Sequence, residues 1–154
     1  MGEGGGLNMG ATENVWAVNV RNNIIQHNEA NTVGGGIYCN NCSGEIIGNT
    51  IKFNTTNVYG GGIYFNRGAV VWTGNTISQN HARANGGGVS GKDIPGWPTL
   101  VPDDNGNLTL LHYAPCFPIS GNTIELNTHG TIVPYPVPDG GWCPDSGYDI
   151  YPHE

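Results

Sequence analysis

A period of 26 residues governs this chain. Asn23, Asn49 and Asn75 are separated by 49 − 23 = 26 and 75 − 49 = 26 residues. Ile25, Ile51 and Ile77 keep the same interval, as do Asn28, Asn54 and Asn80, and Gly34, Gly60 and Gly86. The unit reads Gly-Asn-Thr-Ile-x-x-Asn, a short polar link, then Gly-Gly-Gly-Ile-Tyr. It returns as Gly121-Asn122-Thr123-Ile124 with Asn127, and its glycine part is foreshadowed at Gly4-Gly5-Gly6-Leu7 and echoed at Gly147-Tyr148-Asp149-Ile150-Tyr151. A unit this short cannot bury its own apolar face. Stacked on copies of itself, it can.

The residue types decide what stacks. Glycine triplets and β-branched Asn-Thr-Ile segments disfavour helix and suit short strands joined at tight corners. Strand alternation sends Ile37 inward and Tyr38 outward. Stacking then predicts three inner columns: Leu7, Ile37, Ile63, Val89 and Ile150; Ile25, Ile51, Ile77 and Ile124; Val20, Ile46, Trp72 and Ile119. The predicted fold is therefore all-β, a right-handed parallel β-helix (a β-solenoid) of about four coils forming one domain over residues 1–154. Glycine at 26 residues and proline at 10 would otherwise suggest disorder, but the apolar periodicity argues for a packed core. Asn28, Asn54, Asn80 and Asn127 fall where each strand turns. They read as a structural ladder of side-chain amides, in preference to a polar binding row.

The paired Gly-Gly-Gly-Ile and Ile-x-x-Asn units resemble the repeats of right-handed parallel β-helix proteins. They are most similar to the bipartite repeats of polymorphic outer-membrane proteins and related surface proteins, over about residues 4–91 and 118–151. The resemblance implies a surface location and a solenoid that carries adhesins, surface-layer components, or polysaccharide lyases and hydrolases of the pectate-lyase-like superfamily. Fold alone does not choose among these.

The period breaks twice. Val89 to Ile124 spans 35 residues, against 14 from Ile37 to Ile51, so 21 extra residues fall within about 91–117. Ile124 to Ile150 spans 26, against 12 from Ile25 to Ile37, so 14 extra fall within about 128–146. Loops on a rigid scaffold are where binding residues gather. The candidate ligand-binding residues are Trp97, Asp103, Asp104, His112, Tyr113 and Trp142 beside the insertions, with Tyr38 and Tyr64 as an outward aromatic column suited to sugar rings.

Catalytic and metal chemistry find little support. A lyase of the resembled superfamily implies a calcium-binding acid cluster and a basic catalytic residue, but the slot after Ile25 reads Gln26, Lys52, Ser78, Glu125. Arg21, Arg67 and Arg83 occupy different slots, and Arg83 beside His81 reads as a solvated link. Neither Gly-x-Ser-x-Gly nor His-Glu-x-x-His occurs. Asp103-Asp104-Asn105-Gly106-Asn107 offers calcium-type oxygens, yet it lacks the full spacing of a calcium loop and reads better as a turn. No catalytic residue and no cofactor is assigned, calcium being the one ion considered. Cys39-Asn-Asn-Cys42 with Cys116 and Cys143 could make a zinc site, but disulfides fit an extracellular composition better. The pairing expected is Cys39–Cys42 and Cys116–Cys143.

A net charge of −7, with only five Lys and Arg, repels phosphate backbones and anionic membranes. No apolar run approaches the roughly 20 residues of a spanning helix. Partners expected are a glycan or a second copy of the chain stacked head to tail, and neither nucleic acid nor an inserted membrane. Met1 is followed by no signal peptide, and no capping element guards either end, which reads as a piece of a longer solenoid before it reads as a self-stacking subunit. The functional expectation is an extracellular structural or adhesive solenoid, a fibre or sheath subunit or a fragment of a larger surface protein. The alternative is a carbohydrate-active enzyme or carbohydrate-binding module.

Overall fold

The computed structural model of the chain describes residues 2–10, 16–84, 86–92, 100–102, 108–110, 121–130 and 150–152. Among them every regular element is a strand, and parallel pairing dominates. The first repeat holds β1 (Leu7–Gly10), β2 (Trp16–Arg21), β3 (Ile24–Gln26) and β4 (Glu29–Ala30). The second holds β5 (Ile37–Ile47), β6 (Thr50–Lys52) and β7 (Thr55–Thr56), and the third β8 (Ile63–Thr73), β9 (Thr76–Ser78) and β10 (His81–Ala82). Then come β11 (Val89–Lys92), β12 (Leu100–Pro102), β13 (Leu108–Leu110), β14 (Thr123–Glu125), β15 (Thr128–His129) and β16 (Ile150–Pro152).

Three parallel sheets collect equivalent strands from successive repeats. One runs β1-β5-β8-β11-β16, with β2 also on β5; the others run β3-β6-β9-β14 and β4-β7-β10-β15. The register places the repeat's apolar residues in line. Leu7, Ile37, Ile63, Val89 and Ile150 align across the first sheet. Ile25, Ile51, Ile77 and Ile124 align across the second. Val20, Ile46 and Trp72 align where β2 meets β5 and β8. Ile119 lies outside the described residues. A further inward column that the sequence reading overlooked is Ala30, Thr56 and Ala82, all at most 2% exposed.

The turn between the second and third sheets explains the spelling Ile-x-x-Asn. Its second x is His27, Phe53, Gln79 or Leu126, each at φ of 55–56°. A left-handed residue costs non-glycine side chains about 1 kcal/mol, and it bends the chain so that the next residue, the asparagine, points inward again. The glycine corner solves a different problem. A Cβ on Gly36 would stand 2.6 Å from the Gly62 carbonyl oxygen, and one on Gly62 2.5 Å from that of Gly88, so only glycine lets neighbouring repeats close together here.

The first interruption departs from the parallel pattern. β12 and β13 pair antiparallel with each other, Leu100 opposite Leu110. The segment Asp103-Asp104-Asn105-Gly106-Asn107, read from the sequence as a turn, lies outside the described residues.

Candidate functional site

Two files of asparagine run through the stack, and most of the repeat's buried polarity belongs to them. In the file expected from the sequence, Asn28 Nδ2 donates to Asn54 Oδ1 at 2.9 Å, Asn54 Nδ2 to Asn80 Oδ1 at 2.9 Å, and Asn80 Nδ2 to Asn127 Oδ1 at 2.9 Å. Each Oδ1 also accepts the backbone N–H of the preceding asparagine, at 3.1, 3.0 and 2.9 Å. Each Nδ2 from the second repeat onward also reaches back to a carbonyl: Asn54 to Ile25, Asn80 to Ile51, Asn127 to Ile77, all at 2.9 Å. The amides thus satisfy backbone groups at the turn that the sheets leave unpaired.

The second file was not assigned from the sequence. Asn23, Asn49, Asn75 and Asn122 repeat the arrangement, with Asn49 Nδ2 on Asn75 Oδ1 at 3.0 Å and Asn75 Nδ2 on Asn122 Oδ1 at 2.9 Å. Its signal was present in the 26-residue recurrence of those asparagines. Asn49 and Asn75 are each 1% exposed.

Tyr38 and Tyr64 stack with ring centroids 6.0 Å apart, as two neighbouring residues of an outward column should. Their faces are not open, however: they are 7% and 6% exposed, so neither offers a sugar an accessible ring. Burial, then the nearby Glu3 carboxylate, raises the Tyr38 phenol above the ordinary tyrosine value, and a hydrogen bond with Asn66 opposes the rise.

The accessible aromatic surface lies elsewhere, on the left-handed residues of the turn. His27 and Phe53 stack at 5.1 Å with an interplanar angle of 13°. Lys52 Nζ lies 5.5 Å from the Phe53 ring centroid. Gln79 and Leu126 extend the same row, and Leu126 is 70% exposed against 38% for Phe53. The left-handed backbone that turns the chain also throws these side chains into solvent, so the row is an exposed ledge in which the His27–Phe53 stack lies beside the Lys52 cation. Sequence reading passed over it because His, Phe, Gln and Leu share no chemistry, only a φ angle.

The Sγ atoms of Cys39 and Cys42 lie at disulfide distance, their Cα atoms 5.8 Å apart, with both residues fully buried. Cys39 is aligned with Met9 and Phe65, so the pair sits within the apolar interior. Trp97, Asp103, Asp104, His112, Tyr113, Trp142, Cys116 and Cys143 lie outside the described residues. Among the described residues no three His, Cys, Asp or Glu gather as a metal site would require, and no helix is long and apolar enough to cross a membrane. The class that these observations define is an all-β protein of parallel sheets built on an asparagine-laddered repeat. No protein-family model, no curated protein and no solved structure matches the chain.

Proposed function

We propose that the chain is an extracellular structural or adhesive β-solenoid, a right-handed parallel β-helix of about four coils that serves as a rigid, regularly spaced scaffold. The observation that carries this reading is the use made of the repeat's asparagines. Asn49, Asn54, Asn75 and Asn80 are at most 1% exposed, and all are committed to joining one repeat to the next. Polar residues spent on cohesion are what a rod needs. Parallel strands joined by crossover connections in one sheet are almost always right-handed, which supports the handedness. The buried Cys39–Cys42 pair and the scarcity of Lys and Arg support an oxidising, extracellular setting. The likeness to surface-protein repeats points the same way.

A turnover and glycan-array screen on the pure chain tests the proposal. The expected result is no release of reducing ends or unsaturated products from pectic and other acidic polysaccharides. Release that heating the protein abolishes would overturn the scaffold reading in favour of an enzyme.

A second reading, a carbohydrate-binding module, is favoured by the exposed His27–Phe53 stack. It predicts that Phe53→Ala weakens any glycan found on the array by at least about tenfold, the scale of one lost stacking contact. Unchanged binding in that variant would remove the ledge as a glycan site.

A further inference from the structure

We propose that Asn41 is the acceptor for an N-linked sugar, transferred to the folded chain from a diphosphate-activated donor. Asn41-Cys42-Ser43 carries the acceptor pattern Asn-x-Ser/Thr. So does Asn54-Thr55-Thr56, and the fold treats the two in opposite ways. A third match begins at Asn107, which lies outside the described residues.

Asn54 is fully buried and its amide is spent. Its Nδ2 donates to the Ile25 carbonyl and to Asn80 Oδ1, both at 2.9 Å. The Thr56 hydroxyl donates to the Thr32 carbonyl at 2.6 Å. A sugar on Asn54 would remove a donor that the ladder uses and force a bulky polar group into the interior. Packing between repeats thus accounts for both the asparagine and the hydroxyl of that match.

Asn41 stands at a bend on the surface. β5 and β8 pair on either side of it, Asn40 with Asn66 and Cys42 with Gly68. Between those pairs Asn41 and Arg67 take left-handed backbones, at φ of 54° and 62°. Asn41 is partly exposed, and its side-chain amide has no hydrogen bond among the described residues. Arg67, at the same bend one repeat on, is exposed, so the bend directs even a long side chain outward.

The stack requires neither polar residue of this match. Asparagine tolerates the left-handed region, but Arg67 shows that the bend forms without it. Ser43 lies in register between Ala17 and Ala69, so its column needs no hydroxyl. An uncommitted amide with a hydroxyl-bearing residue two positions on is what an asparagine glycosyltransferase recognises.

In the transfer, Asn41 Nδ2 attacks C1 of the sugar. The Nδ2–C1 bond forms, the C1–O bond to the diphosphate breaks with its electron pair on the departing oxygen, and the amide proton passes to a base of the transferase. Nucleotide sugars and lipid-linked oligosaccharides share this chemistry. Transfer after folding reaches Asn41 and not Asn54; transfer before folding meets both. The inference rests on the extracellular setting proposed above.

The test incubates the purified full chain with UDP-glucose and a soluble asparagine glucosyltransferase, then maps the products by mass spectrometry. One hexose is expected on Asn41 and none on Asn54, while a synthetic peptide of residues 48–58 is modified at Asn54. Ser43→Ala matches the alanines on either side, so it should keep its circular dichroism and lose the hexose; Ser43→Thr should retain it. A bare Asn41, equal labelling of Ser43→Ala, or sugar on Asn54 of the folded chain would each overturn the site. Mapping the chain from its source cells then identifies the donor. A single hexose marks a nucleotide sugar, a preassembled oligosaccharide marks a lipid carrier, and a bare Asn41 again overturns the site. Surface labelling of those cells separates this inference from the reading it rests on. A surface chain bare at Asn41 defeats the site alone, and an internal chain that carries the sugar defeats the location alone.

Discussion

The middle repeats and the outer ones are made of the same parts and are buried differently. Ile37, Ile51, Ile63 and Ile77 have no exposure at all, and Asn54 and Asn80 have 1% or less. Their counterparts at the two ends, Val20, Ile25, Ile124 and Asn127, keep 8–9%. Asn28, at the first end, is half-buried and spends its amide on one neighbour, where Asn54 spends its amide on two. The difference teaches that burial here belongs to the neighbour. A repeat covered on both sides is a core; the identical repeat covered on one side is an edge, whatever its sequence.

The largest effect expected from this contrast concerns the ladder. Asn80→Leu strands the N–H of Asn54 and the carbonyl of Ile51 in the interior, and should cost on the order of 4 kcal/mol in denaturant unfolding. Asn28→Leu removes one half-buried bond and should cost about 1 kcal/mol. Equal losses would mean that the ladder is not graded by position. A smaller gap should separate the apolar pair. Ile51→Ala should cost about 3–4 kcal/mol and Ile25→Ala about 2, since the end position collapses or hydrates more readily.

The smallest effect is a titration at the junction of the first segment and the second repeat. Tyr38 is held protonated above the ordinary value of 10 by burial and by Glu3. The sign follows from a folded-state value raised above the unfolded one. The contribution is complete below the unfolded pKa and is lost as pH rises through the folded one. Alkaline unfolding curves should therefore be shallower in Tyr38→Phe, and Glu3→Gln should bring the ultraviolet titration of Tyr38 back toward the ordinary range. A wild-type Tyr38 that ionises at the ordinary value would show that the N-terminal segment does not close over it.

How much of this was legible depended on whether a property repeats. Ile25, Ile51 and Ile77 announce their column by identity alone, and so do Asn28, Asn54 and Asn80. Asn23, Asn49 and Asn75 announced theirs equally well, but their ladder went unread because only the asparagine at the strand's end was weighed as a turn residue. The ledge of His27, Phe53, Gln79 and Leu126 could not be read at all, since what these residues share is a backbone angle. The outward direction of Tyr38 followed from alternation; its burial did not, because burial is decided by what else lies against that face.

The sequence by itself determined the period, the strand character of each unit and the isoleucine columns of the interior. These follow from residue spacing and local preference, which act along the chain. Only the tertiary structure decided that Tyr38 and Tyr64 are covered while Phe53 is exposed, and that His27, Phe53, Gln79 and Leu126 share a left-handed turn that faces solvent. Those are statements about pairs of repeats. Solvent exposure depends on which groups lie one strand away, and a linear pattern does not record them.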